Sequence, residues 1–154
     1  MEIADLLPLS GVVDDLKAAS KKQALQELSA IAAERTAQDK RAVLDILLAR
    51  ERLGSTGVGA GVAIPHGKVE GLSTPSGVFA RLREPIEFDA VDERPVDLVF
   101  LLLAPEAAGT DHLKALALVS RLLRDERVCA RLRGADSAEA LYAVLTDAAG
   151  APRR

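Results

Sequence analysis

The chain is poor in the residues that carry most metal, redox and aromatic chemistry. It has one cysteine, no tryptophan, one tyrosine, three phenylalanines and two histidines in 154 residues. A lone Cys129 excludes a disulfide framework within the chain and suits a reducing compartment. Two histidines without H-x-x-x-H spacing do not form a zinc site, so neither metal nor cofactor is expected. With aromatics at 3%, Ala, Leu and Val must build the core. The longest apolar run, Leu98 to Ala104, falls far short of the roughly 18 to 20 residues that span a bilayer. The N-terminus, Met1-Glu2, lacks the basic-then-apolar plan of a signal peptide. The net charge of −3 argues against nucleic acid as a partner. Together these absences predict a soluble cytoplasmic protein without membrane insertion. The length fits a single domain, 1–147, followed by a frayed tail, 148–154.

What is present is patterned. Ser20 reads as the N-cap of a helix to about Arg35, with Ala24, Leu25, Leu28, Ile31 and Ala32 on its apolar face. Asp39 caps a second helix whose apolar face is Val43, Leu44, Ile46, Leu47 and Leu48, and Gly54 stops it. A short strand follows at Gly61 to Ile64. Gly77 to Arg83 alternates as a strand that Pro85 breaks, with Ile86 to Phe88 as a short continuation. Val96 to Leu103 reads as a central strand covered on both faces. Thr110 or Asp111 then caps a helix that buries Leu113, Leu116, Ala117, Val119 and Leu122. A short helix spans about Glu126 to Leu132. Asp136 and Glu139 form a capping box for a last helix through Leu141, Val144 and Leu145. The fold class is α/β (α+β): a small mixed β-sheet with helices packed on both faces.

The densest feature is Gly54-Ser-Thr-Gly-Val-Gly-Ala-Gly-Val-Ala-Ile-Pro-His-Gly-Lys68. It is not a Walker A loop, because Gly61 and Gly67-Lys68 enclose five residues and Val69 replaces the hydroxyl residue. It is not a dinucleotide fingerprint, because Val62 stands where the third glycine belongs. It also leads from a helix into a strand, the reverse of both motifs. It does fix His66 between a stiff Pro65 and a small Gly67, with Gly57, Gly59 and Gly61 leaving little bulk nearby. A histidine in an apolar strand is often merely packed; these three features favour a reactive one. A neutral imidazole is a competent nucleophile toward phosphorus.

Two residues distant in sequence could join it. His112 falls at the N-terminus of a helix, where the dipole favours a neutral ring and free N–H groups suit an anion. Arg50 falls in the last turn of the second helix, as a capping cation or as a partner for phosphate oxygens. Ser55, Thr56, Gly57 and Gly67 are read as support for a phosphate-holding loop. Ser55 lies in no G-x-S-x-G elbow, and Cys129 sits on an apolar helix face as a core residue.

Arg50-Glu51-Arg52-Leu53-Gly54-Ser55-Thr56-Gly57, running into Gly61-Val62-Ala63-Ile64-Pro65-His66-Gly67-Lys68, resembles the signature of fructose/mannitol-type enzyme IIA proteins of the bacterial phosphoenolpyruvate-dependent phosphotransferase system. Pro85 to Ala90, Arg94 to Leu98 and Asp111 to Leu113 fall on similar segments, so the likeness covers nearly the whole chain. The Gly-Ser-Thr-Gly turn and Ser20-Lys21-Lys22 are most similar to the nitrogen-regulatory branch. The resemblance implies that fold and a phosphocarrier role. His66 would be phosphorylated at its tele nitrogen by an HPr-like phosphohistidine carrier. His112 would be a second active-site histidine, and Arg50 would hold the phosphate. It implies regulation of nitrogen- or potassium-related partners, or else, as a sugar-specific enzyme IIA, transfer to a permease. A third alternative is an interaction module that takes no phosphate. The family often has asparagine where this chain has Ala60.

Overall fold

The computed structural model describes residues 1–107 and 109–150, the side chains of 148–150 excepted. Of the tail expected to fray, 151–154 lies outside the described residues. The helices are α1 (Ile3–Leu6), α2 (Lys21–Thr36), α3 (Lys40–Arg52), α4 (Thr110–Leu123), α5 (Glu126–Gly134) and α6 (Ala138–Gly150). A 3₁₀ turn spans Leu9–Gly11. The strands are β1 (Val12–Leu16), β2 (Gly57–Gly59), β3 (Val62–Ala63), β4 (His66–Val69), β5 (Ser76–Ile86) and β6 (Val96–Pro105).

They form one mixed sheet in the order β1-β5-β6-β3-β2, with β4 also pairing to β6. The hub is β6. It runs antiparallel to β5 and parallel to β3 and β4, which share its other edge end to end. Its side chains alternate between two cores, as the pleat requires. Leu98, Phe100 and Leu102 pack with Phe79, Val62 and Ile64 under α1, α4, α5 and α6. Val99, Leu101 and Leu103 pack with Val78, Ala80 and Ala63 under α2 and α3. A strand buried on both faces needs the unbroken apolar run that the sequence supplies there. No helix among the described residues is long and apolar enough to cross a membrane.

The helix starts follow from capping chemistry. Ser20 Oγ accepts the Gln23 N–H at 3.1 Å, and Asp39 accepts the Ala42 N–H at 3.0 Å. Other expectations are corrected. Helix α6 is capped by Ser137, whose hydroxyl accepts the Ala140 N–H at 3.0 Å, and not by an Asp136–Glu139 box. Helix α4 has Gly109 at its N-cap, with Thr110 already helical. Its buried face is Ala115, Val119, Leu122 and Leu123, while Leu113 and Ala117 are exposed. Strand β5 continues through Pro85 to Ile86. Its ladder to β6 is interrupted between Arg81 and Ile86, so the missing proline N–H costs no hydrogen bond. Two elements lack a pattern in the sequence: α1 is only four residues long, and β1 is an edge strand that buries only Val12 and Leu16.

The glycine-rich stretch is not an open approach to a strand from 61 to 64. It folds into a β2–β3 hairpin, in which Gly57 pairs with Ala63 and Gly59 with Val62. The two turn residues, Ala60 and Gly61, have φ of 56° and 81°. Positive φ at both central positions is the pattern of a type I′ turn, for which Asn-Gly is the preferred pair. The turn is tied down by its backbone: the Ala60 N–H donates to Asp92 at 2.9 Å, and its carbonyl accepts from Arg133 at 2.8 Å. Alanine in the left-handed region is strained by about 1–2 kcal/mol, which asparagine relieves in part. Ala60→Asn is therefore expected to raise stability by ~0.5–1 kcal/mol and the melting temperature by ~1–4 °C. A scanning calorimetry trace with an unchanged or lowered midpoint would reject strain at this turn.

Candidate active site

Strand β4 carries His66 at its first position, paired in register with Leu102 of β6. Pro65 precedes the strand and is held by its carbonyl, which accepts the Leu102 N–H at 2.9 Å. The imidazole is then oriented by its own backbone: Nδ1 lies 2.8 Å from the Ile64 carbonyl. A carbonyl can only accept, so Nδ1 carries the proton. In the neutral ring Nε2 is left with a free lone pair.

After β6 the chain passes Gly109 and enters α4. His112 lies in the first turn, and its ring centroid is 5.8 Å from that of His66, with the planes tilted by 40°. Nδ1 of His112 is buried and meets no hydrogen-bond partner among the described residues. An N–H there would be buried and unsatisfied, so the neutral ring keeps its proton on Nε2. The two rings thus differ in tautomer: His66 has an acceptor at Nε2 and His112 a donor. Burial holds the His112 pKa below its ordinary value, and the charges of His66 and Lys68 lower it further. The α4 N-terminus has no side-chain cap, which leaves first-turn N–H groups available to an anion.

Arg50, in the last turn of α3, completes the group. It lines the same open cavity of about 520 Å³ as His66 and His112, together with Ile46, Ala49, Leu53, Gly67 and Lys68. Its Nη1 donates to the Gly54 carbonyl at 2.9 Å. No carboxylate is among these lining residues, while Arg50 and Lys68 contribute two permanent cations. The three residues singled out for chemistry, scattered over 63 positions of sequence from Arg50 to His112, therefore meet around one cavity.

The loop residues do not join them. Thr56 is buried, and its N–H and hydroxyl both donate to Glu51. Ser55 donates to the Phe88 carbonyl at 2.7 Å and accepts the Gly57 N–H at 3.0 Å. None of Ser55, Thr56 and Gly57 lines the cavity. Nor do Gly57, Gly59 and Gly61 clear space beside His66. A Cβ on Gly57 would come within 2.9 Å of Ala90, and one on Gly61 within 2.5 Å of the Arg133 guanidinium. These glycines admit the 88–94 segment and α5. Gly67 does border the cavity, but the room beside it is filled: a Cβ there would come within 2.6 Å of Ile46 Cγ2. It lets α3 pack against β4.

Sequence reasoning passed over Lys68 as a site residue. The signal was present, since residues i and i+2 of a strand share a face and Lys68 follows His66 by two. It also passed over two exposed leucines: Leu53, which lines the cavity, and Leu113, next to His112 in sequence, are 84% and 64% exposed. Cys129 is buried as expected; its thiol donates to the Leu123 carbonyl at 3.1 Å, and burial pushes its pKa up.

Comparison with known proteins gives this arrangement a context. Residues 5–148 match the family described as "Phosphoenolpyruvate-dependent sugar phosphotransferase system, EIIA 2". The chain belongs to this family. A nitrogen regulatory protein from Bradyrhizobium diazoefficiens is 58% identical over 145 residues, covering 94% of this chain and 95% of the relative. A fructose-specific EIIA component from Haloferax volcanii is 40% identical over 147 residues, covering 95% and 96%. The crystal structure of nitrogen regulatory protein IIA-Ntr from Neisseria meningitidis superposes with a TM-score of 0.89 at 41% identity, covering 94% of this chain and 99% of that one. The chain is thus an enzyme IIA, a phosphotransferase component with the mixed-sheet fold of its relatives.

Two consequences of the geometry can be measured. Gly67→Ala is expected to cost ~1–3 kcal/mol in chemical denaturation through overpacking against Ile46. Adding Ile46→Ala is expected to recover part of that loss, with non-additivity of about 1 kcal/mol. Fully additive effects would show that Gly67 serves something other than helix packing. The second concerns pH. Because the folded pKa of His112 lies below the unfolded value of about 6.5, the unfolded chain binds this proton first as pH falls. The penalty is absent above pH ~6.5 and grows as pH drops from there toward the folded pKa. His112→Gln is accordingly expected to lose less stability than the parent between pH 7 and 5. An imidazole NMR titration of His112 with a midpoint at or above 6.5 would refute the sign.

Proposed function

We propose that this enzyme IIA accepts a phosphoryl group on Nε2 of His66 from an HPr-like phosphohistidine carrier, in the cytoplasm, and that its phosphorylation state regulates other proteins. One observation carries the reading. His66, with Nδ1 committed to a carbonyl, lines a cavity that holds a second histidine and two cations and has no carboxylate in its lining.

The transfer is an in-line displacement. The Nε2 lone pair of His66 attacks phosphorus, a P–N bond forms, and the carrier's P–N bond breaks with its electron pair returning to the leaving imidazole. Little covalent chemistry is asked of the protein, so rate comes from positioning and from charge stabilisation of the three equatorial oxygens. The Nε2–H of His112, the N–H groups opening α4 and the guanidinium of Arg50 are suited to stabilise them. A cationic His112 would be the stronger donor, but it would repel a His66 ring that gains charge as phosphorus bonds to it. A neutral donor avoids this conflict. The bond broken and the bond formed are both phosphoramidate P–N bonds.

Regulation follows from charge. The phosphoryl group adds about −1.5 to −2 at pH 7, nearly cancelling Arg50 and Lys68. A partner that reads this cationic surface, with the apolar Leu53 and Leu113 beside it, would distinguish the two forms. The names of the Bradyrhizobium and Neisseria proteins support a nitrogen-regulatory role. The fructose-specific Haloferax relative supports a second reading, onward transfer to a sugar permease. Phosphate passed to a sugar in permease-containing vesicles would select the second.

Incubation with a phosphorylated carrier is expected to give one acid-labile label. His66→Ala should abolish it. His112→Ala should leave the site intact but slow labelling by ~10²-fold, the usual cost of one donor to a developing charge. Label persisting in His66→Ala would reject His66 as the acceptor, and a parent chain that takes no label would reduce the protein to an interaction module.

A further inference from the structure

We propose that Glu51 is a positioning residue that holds Arg50 in place for phosphoryl transfer. This rests on the phosphotransfer reading above. Glu51 occupies the last turn of α3, where the negative end of the helix dipole opposes a carboxylate, and its side chain is only 6% exposed. Burying a charge there must be compensated, and every partner is identifiable. Oε1 accepts the Thr56 N–H at 3.0 Å and pairs with Lys21 Nζ at 2.9 Å, while Oε2 accepts the Thr56 hydroxyl. Lys21 is itself misplaced by dipole logic, a cation in the first turn of α2. It is steadied by the Phe88 ring at 4.7 Å and by Asp89 at 3.8 Å.

Neither charge serves its own helix. What they serve is the loop between α3 and β2. That loop has little packing of its own: Leu53 is 84% exposed, and a Cβ built on Gly54 would meet nothing within 4 Å. Yet the Gly54 carbonyl is the hydrogen-bond acceptor for Arg50. The chain of restraint runs from the Glu51 carboxylate to Thr56, through two peptide units to the Gly54 carbonyl, and from there to the guanidinium in the cavity. Arg50 and Glu51, adjacent in sequence, act as the held group and its clamp.

A double-mutant cycle on the full chain tests this, with single-turnover transfer from a phosphorylated carrier as the readout. Arg50→Ala is expected to slow transfer by ~10²-fold and Glu51→Gln by ~10-fold, the latter with the carrier KM within about twofold of the parent. If Glu51 acts through Arg50, the double variant is no slower than Arg50→Ala alone. The Arg50 Nε–H resonance should also move in Glu51→Gln while the His66 Nδ1–H resonance stays. Should Glu51→Gln fail to fold by circular dichroism, Thr56→Val takes its place in the cycle, since it removes the hydroxyl arm of the tether while the Thr56 N–H and Lys21 still pair the buried charge; its slowing is expected to be smaller, ~3-fold, and to vanish on the Arg50→Ala background. Effects that multiply, an unchanged rate in Glu51→Gln, or no effect of Arg50→Ala each overturn the proposal while phosphotransfer stands. A parent chain that takes no label overturns both.

Discussion

The whole site depends on one buried strand. Strand β6 pairs along one edge with β4, which begins at His66, and its own C-terminal end leads into α4, which carries His112. The register His66↔Leu102 places one ring at the edge of β6, and α4, next after β6 in the chain, places the other 5.8 Å away. Leu102 faces one core and Leu103 the other, so β6 cannot slip by a residue without turning both sets of apolar side chains to the wrong side. The geometry of two imidazoles is thus fixed by the least polar segment of the chain.

Around that strand, two helix ends converge with opposite dipoles. The C-terminal end of α3 brings Arg50, a cation where cations are favoured. The N-terminal end of α4 brings uncapped N–H groups and a histidine whose charged form is disfavoured by burial and by its neighbours. The arrangement brings positive potential to a cavity whose lining holds no carboxylate. It also disfavours the charged form of the second histidine, and a neutral ring can donate without competing electrostatically with His66. Tautomers complete the asymmetry: a backbone carbonyl on Nδ1 of His66, and none among the described residues on Nδ1 of His112, give two like residues unlike roles.

Much of this was legible before folding. The caps Ser20 and Asp39, the apolar run of β6 and the Pro-His-Gly punctuation each state a local preference that the fold keeps. The meeting of Arg50, His66 and His112 was legible through the family resemblance, because no local rule relates residues so far apart. Where reading failed, the cause was tertiary. Strand β1 does not alternate because only its ends are covered. Pro85 sits in a strand because its ladder is already broken there. Ser137 caps α6 because a hydroxyl one residue beyond Asp136 has the reach to the Ala140 N–H.

The glycines show how a correct location can carry a wrong reason. A cluster of small residues before a histidine suggests space cleared for a large partner, and sequence has no means of telling space cleared for a partner from space already taken by the protein. Here the space is taken: Ala90, Arg133 and Ile46 each stand where a side chain would be. The function of the stretch is to reverse the chain tightly at Ala60-Gly61, so that β3 and then β4 lie end to end, parallel to β6 on one edge. Such a path leaves the preceding loop short of apolar contacts. A loop that lacks packing can be ordered only by hydrogen bonds and charge, and that is why a carboxylate is retained at the wrong end of α3, beside the arginine whose acceptor it steadies.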